Sequence, residues 1–359
     1  MDTRIIGFDL ARAYAIFGMF IVNFNFCFGS IWETTDLLGR FLNLFVGNST
    51  AIFIILAGAG LSLLSSKSNG NKGMAKDIRN VVLKRSWFLF TLGLLLYTWW
   101  PGDILHFYGG YMHIAAFLLF ASNRQLMISA IFAILVFHAL LLIIPVETGW
   151  DFTKFQPVDF WTPTGFLRNT FYNGWNSIFP WIAYFFLGMW IGRLQWADKK
   201  VKKGIFILGL VLFVTFQFLR ILAKQQLFND FVTGYIMSEY FPPYLPFMFI
   251  TSGFAMMVIS LLYVVGEKAK DHKIIRSLSQ TGRMTLTHYV LHLTIGMLML
   301  SQLTNLEYTA NVQSGMHASP LFILIFTVAY CLITVLFSVV WSKYYKHGPL
   351  ESIMRKFSN

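Results

Sequence analysis

The chain has 359 residues, 56% of them hydrophobic and only 12% charged, with a mean hydropathy of +0.60. A soluble domain carries about a quarter charged residues, so this composition excludes a globule covered by water-facing side chains. The net charge of +12 raises the question of nucleic acid, but the positions of the basic residues point to membrane topology and imply no nucleic-acid partner.

Taken in chain order, apolar runs occupy 11–29, 42–64, 86–100, 104–122, 126–145, 177–194, 205–222, 243–265, 284–301 and 320–342. Most are at least about 17 residues long, enough to cross a hydrocarbon core at helical rise. The predicted fold class is therefore all-α: a polytopic membrane helix bundle of about ten transmembrane helices, organised as one transmembrane domain over 1–359. The first run carries Asn23 and Asn25 where the core of a signal peptide would be apolar, and no small-x-small cleavage site follows, so it reads as a retained helix. The stretch 65–76 reads as a flexible linker. The third run is the shortest, and Pro101-Gly102 closes it into a tight hairpin with the fourth. The long connection 146–176 is rich in Trp, Phe and Pro, a composition that favours packing over disorder. Of the 28 Lys and Arg, 23 fall in the termini and the even-to-odd loops and 5 in the others. That alternation predicts both termini on the cytoplasmic side of the bilayer. Cys27 and Cys331 match no redox or ligand spacing and read as inert core thiols.

Polar residues inside apolar spans cost free energy unless they face a bundle interior or water, so they carry the functional reading. Asp9 and Arg12 share a face near the start of the first helix, as a structural ion pair or as part of a ligand site, with Asn23 and Asn25 near its other end. At the hairpin between the third and fourth helices, Asp103 and His106 stand three apart, as an imidazole oriented by a carboxylate requires. Tyr108, Tyr111 and His113 follow. The bland alternative there is a solvated turn. In the ninth run His288 and His292 stack on one face, suited to a proton path, acid–base chemistry or interhelical hydrogen bonds. The local sequence offers no third ligand, so no metal is expected. The segment Asn173 to Trp181 reads as helix punctuation with interfacial aromatics. His138, His272, His317 and His347 receive no role.

The segment Arg4-Ile-Ile-Gly-Phe-Asp9-Leu-Ala-Arg12, running on to Asn23, resembles the opening motif of the transmembrane acyltransferase superfamily, which includes heparan-alpha-glucosaminide N-acetyltransferase. Gly102-Asp103-Ile104-Leu105 with Tyr108, Gly282-Arg283-Met284-Thr285-Leu286-Thr287-His288-Tyr289, and Gly348-Pro349-Leu350-Glu351 resemble the bacterial YeiB-like branch, in the same order along the chain. The resemblance implies a multi-pass protein of the bacterial plasma (inner) membrane. Such a protein would move an acetyl or acyl group from cytoplasmic acetyl-CoA, or another acyl-CoA, to an extracytoplasmic sugar or cell-envelope acceptor. The position where a well-known member of the superfamily carries a histidine beyond the helix-one asparagine is Glu33 here, while His288 and His292 stand where the YeiB-like pattern commonly has Asn and Gln.

Acyl transfer needs a cationic mouth for CoA phosphates, a base on the acceptor and donors for the thioester oxyanion. On that reading Arg12, Lys84, Arg85 and Arg283 form the mouth. His106, oriented by Asp103, is the base, and His292 stands beside the acyl carbon. Asn23 and Tyr108 are the oxyanion donors, and transfer is direct, with no acyl-enzyme. The competing class is a transporter of a small polar solute or protons, which the same buried groups would serve. Expected partners are the lipid bilayer and a small-molecule or glycan acceptor. The oligomeric state is left open, a homodimer included.

Overall fold

The computed structural model describes residues 5–30, 37–68, 70–308 and 314–358. These are mostly helical; the strands among them are a single two-residue antiparallel pair, β1 (Trp150–Asp151) and β2 (Gln156–Pro157). The chain divides into two compact units, residues 1–53 with 254–353 and residues 54–253 with 354–359.

The first unit is built around α1 (Ile6–Phe28), whose neighbours are α2 (Leu37–Asn43), α12 (Lys273–Gly282), α13 (Thr285–Leu291), α14 (Met297–Thr304) and α15 (Pro320–Trp341). A five-residue π turn, His292–Gly296, joins α13 to α14. The predicted ninth span is thus Thr285–Thr304, bent by 71° from α12. The break falls at Met284, whose φ of −119° and ψ of 28° leave the helical region. Gly282 ends α12 against α1, where a β-carbon would overlap the Asp9 carbonyl.

The second unit contains α4 (Lys72–Tyr97), α5 (Leu105–Phe117), α6 (Asn123–Leu141), α7 (Pro163–Arg168), α8 (Ile178–Ile191), α9 (Lys199–Lys224) and α10 (Asp230–Ile236). Two long helices, α3 (Asn48–Ser65) and α11 (Leu245–Lys268), run from one unit's residues into the other's. The expected hairpin is present: α4 packs on α5 across the turn that holds Pro101 and Gly102. The backbones approach closely because a β-carbon at Gly93 would overlap the His106 backbone nitrogen.

The linker expectation needs correction. Helix α4 begins at Lys72, well before the apolar run at 86–100, because Asn71 caps it by accepting from the Met74 N–H at 3.1 Å. Charged Lys and Arg are good helix formers once capped. The connection 146–176 is ordered by β1, β2, α7 and a second π turn, Asn169–Asn173. Phe160 is buried against Tyr97 (ring centroids 3.7 Å apart), and the Trp150 Nε1–H donates to the Asn173 carbonyl at 2.8 Å.

Large apolar side chains stand exposed along α6 (Ile128, Ile131, Leu135), α9 (Val211, Val214, Phe218) and α15 (Ile325, Leu332, Leu336). Faces of this kind belong in lipid, and the chain is an integral membrane protein. Among the described residues six helices are long and apolar enough to cross, with a seventh crossing if the bent pair counts as one. The predicted spans 104–122 and 177–194 appear as α5 and α8, with 13 and 14 residues. These are about 20 Å long at helical rise, shorter than the hydrocarbon core. Span 86–100 is the apolar part of α4.

Candidate functional site

In the first unit the opening motif and the Gly282-Arg283 motif meet. The buried Asp9 carboxylate accepts from Arg12 Nη1 at 3.0 Å and from Ser279 Oγ on α12 at 3.3 Å. Arg12 remains about a quarter exposed, with 24% of its side chain accessible. The Arg283 Nη2–H donates to the Lys346 carbonyl at 2.6 Å, tying the α12–α13 break to the segment after α15.

The fourth motif closes on the same break. Helix α16 (Pro349–Ser358) begins beside Glu351. Its carboxylate Oε1 accepts from the backbone N–H of Leu286 at 2.8 Å and of Thr287 at 3.2 Å, and Oε2 accepts from Thr287 Oγ1 at 2.6 Å. These are the orphan donors of the first turn of α13, where a carboxylate is also favoured by the helix dipole. Burial pushes the Glu351 carboxyl up, and the hydrogen bonds from Thr287 and the two N–H groups pull against that. Gly348 leaves the room: a β-carbon there would overlap Glu351 Oε2. Two stretches of the family resemblance, Gly-Arg-Met-Thr-Leu-Thr and Gly-Pro-Leu-Glu, are therefore two halves of one trans cap.

The capped helix carries the histidine pair. His292, fully buried at the start of the π turn, contacts Asn23 of α1: Asn23 Nδ2 and His292 Nε2 are 2.9 Å apart. The His292 Nδ1 lies 3.3 Å from the His288 carbonyl. A carbonyl only accepts, so Nδ1 carries the proton and Nε2 accepts from the Asn23 amide. Phe20, Phe24, Tyr289 and Tyr330 pack around the pair; Phe20 is closest to the imidazole at 5.0 Å between centroids. His288 faces another way. Ser338 Oγ gives its proton to the Thr334 carbonyl at 2.8 Å, so the His288 Nε2–H donates to Ser338 at 2.7 Å. The two histidines share a helix and do different things.

Asp103 and His106 belong to the second unit and are completely buried. Asp103 Oδ2 accepts from the N–H of Leu105 at 2.8 Å and of His106 at 3.3 Å, capping the start of α5. The same oxygen lies 3.5 Å from His106 Nδ1, a long contact that still faces the imidazole edge to a carboxylate. His106 Nε2 is buried and has no hydrogen-bond partner within the protein. Around the ring stand Phe107 at 3.8 Å, Tyr97 at 5.3 Å and Phe160 at 5.8 Å between centroids. His113 Nδ1 pairs with Ser86 Oγ at 3.2 Å, a helix–helix contact between α4 and α5. Tyr108 is half-buried beside Phe185 and Tyr111.

Of the cationic residues, Lys84 is exposed on α4, while Arg85 donates through Nε to Ser358 Oγ at 3.2 Å. Glu33 lies outside the described residues. Among the described residues no group of three His, Cys, Asp or Glu could hold a metal ion. The structure thus pairs Asn23 with His292 and Asp103 with His106, each within its own unit. Sequence reasoning missed Glu351 as a cap. The signal was available: a Gly-Pro followed by an acid near the end of the chain, in the same family pattern as the motif at the α12–α13 break.

Buried ionisable and amide groups that pair inside the helices of a membrane protein mark its candidate functional positions. Residues 4–228 match the family model described as heparan-alpha-glucosaminide N-acetyltransferase, catalytic, and residues 186–359 match one described as a protein of unknown function (DUF418). The chain belongs to a YeiB-like family related to heparan-alpha-glucosaminide N-acetyltransferase. A relative is the uncharacterized protein YeiB of Escherichia coli (strain K12), 31% identical over 99 residues, which cover 28% of this chain and 23% of that protein. The chain thus aligns with less than a quarter of the length of that curated relative.

Proposed function

We propose that the chain is a membrane-bound acyltransferase that moves an acetyl or other acyl group from cytoplasmic acyl-CoA to a hydroxyl or amino group of a sugar or cell-envelope acceptor across a bacterial inner membrane. The observation that carries this reading is the match of residues 4–228 to the catalytic family of an N-acetyltransferase. The side chains support it. His106 has one nitrogen facing Asp103 and the other without a partner, the arrangement a general base needs. Asn23, held by His292, keeps a second amide N–H for a developing oxyanion. Arg12 and Arg283 of the first unit supply charge for CoA phosphates.

The topology belongs to the same proposal: ten crossings, with both termini in the cytoplasm, from the 23 to 5 division of basic residues. Reporter fusions after residues 72, 200 and 270 are expected to report cytoplasmic, and those after 160 and 310 external. An external signal at 200 removes the ten-crossing arrangement.

The donor half is tested by titrating purified protein with acetyl-CoA. A charge-assisted phosphate contact contributes about 1.5–3 kcal/mol, so Arg283→Gln should weaken binding by roughly ten- to a hundredfold, with rising salt weakening the wild type. Arg12→Gln should act in the same direction, although it also strands Asp9. Unchanged affinity in both variants rules out the cationic mouth. Solute-dependent flux in proteoliposomes, without CoA binding, would instead identify a transporter of a small polar solute or protons, the second reading that buried histidines allow.

A further inference from the structure

The π turn Asn169–Asn173 gathers polar atoms that the protein leaves without partners. Asn169 Oδ1, Thr170 Oγ1 and Asn173 Oδ1 are buried and accept or donate no hydrogen bond, in residues that are 2%, 3% and 1% exposed. Buried polar atoms without a partner are rare and costly, and each calls for a ligand or a water. For Asn173 the orientation of the amide is settled by its neighbours. Its Nδ2 donates to the carbonyls of Val146 at 2.9 Å and Thr148 at 2.8 Å, so the orphaned atom is the oxygen.

This turn adjoins Phe107, the residue that follows His106, within the second unit. Gly174, which follows the turn, has no β-carbon, and the space one would fill is 2.6 Å from the Phe107 ring and 2.7 Å from Asn169 Oδ1. The Phe107 ring lies against His106, with centroids 3.8 Å apart. His106 Nε2 is itself an orphan. With Nδ1–H directed at a carboxylate, Nε2 of the neutral imidazole is an acceptor.

The orphans therefore share a chemistry. Two amide oxygens and an imidazole nitrogen are acceptors only, and the threonine hydroxyl can act either way. We propose that Asn169, Thr170 and Asn173, together with His106, form the acceptor-binding site, and that it takes a molecule rich in O–H or N–H donors, a glycoside or amino-glycoside. The inference rests on the acyltransferase reading above and extends it to named residues of a segment that no motif covers. It explains why a π turn stands there: the extra residue in the turn displaces side chains from the regular helical ladder, a device frequent at functional sites.

The test uses full-length protein in lipid nanodiscs and three probes: methyl α-D-glucoside, methyl α-D-glucosaminide and the permethylated glucoside, which has the same ring and no donors. Binding is read by calorimetry, and acetyl-CoA binding is measured separately. The wild type should bind one or both of the first two probes and not the third; which of the two binds more tightly distinguishes a hydroxyl from an amine acceptor. Thr170→Val removes a hydroxyl with no partner in the protein, so its unfolding temperature should not fall, while glycoside affinity drops about tenfold. Asn169→Leu should do the same, and carries the comparison should Thr170→Val lose its fold. Equal affinity in wild type and variants means the orphans hold bound water only and overturns the site, as does equal binding of the permethylated probe or no binding of any glycoside. In each of those cases intact acetyl-CoA binding leaves the acyltransferase reading standing, and its loss in the wild type removes that reading instead.

Discussion

Replacing His106 with alanine should lower acyl transfer by about a hundred- to ten-thousand-fold, the usual contribution of a positioned base, with acetyl-CoA affinity unchanged. The reason lies in which imidazole nitrogens are already used. His292 accepts from Asn23 and donates to the His288 carbonyl, so both of its nitrogens are engaged. His106 keeps Nε2 without a partner while Nδ1 faces Asp103. Because His106 is fully buried among Tyr97, Phe107 and Phe160, alanine leaves a cavity, and His106→Gln serves as the variant of similar volume. Asp103→Asn should lose less than His106→Ala, since an amide oxygen still accepts from the Leu105 N–H but no longer favours the reactive tautomer. His292→Ala is the comparison from the other pair, expected to lose activity more modestly by releasing Asn23. Full activity in His106→Ala with loss in His292→Ala would move the base to the π turn after α13, and Asp103 would be left as a helix cap.

Glu351→Ala should destabilise the protein by about 3 kcal/mol, because it leaves two backbone N–H groups and the Thr287 hydroxyl buried without their acceptor. Thermal unfolding in detergent or nanodiscs reads this, and Glu351→Gln, which keeps one oxygen, should fall between. The pH dependence has a definite sign. Burial raises the folded-state carboxyl above its ordinary value, so the folded state holds its proton more tightly than the unfolded chain does. The stabilisation this provides is complete below the ordinary carboxyl range and is lost as pH rises through the raised value. Glu351→Gln has no such group. The wild type should therefore lose ground to the glutamine variant as pH rises, and a constant difference between the two across that range would show that the carboxyl is not raised.

The bundle's apolar elements were readable from local sequence because lipid rewards continuous apolar runs, whatever their tertiary partners. Helices α1, α6, α9, α11 and α15 lie where the hydropathy places them, and the α4–α5 hairpin turns at Pro101-Gly102. The closeness of Asp103 and His106 was also legible from their spacing, although Asp103 stands just before α5 as its cap and not within the same helical turn. The early start of α4 was hidden, because its first turns are polar and one capping bond from Asn71 decides them. The functional pairings were hidden for a different reason. Asn23 and His292 stand 269 positions apart, and hydropathy does not say which face of one helix meets which face of another. Only the packing of α13 on α1, made possible by the close approach at Gly282 and the cap from Glu351, turns two isolated polar residues into a hydrogen-bonded pair. By itself the sequence determined an all-helical membrane protein, its family and the residue types available for chemistry. Tertiary structure alone decided which imidazole nitrogen is left free, because that depends on the partner each nitrogen meets across the fold.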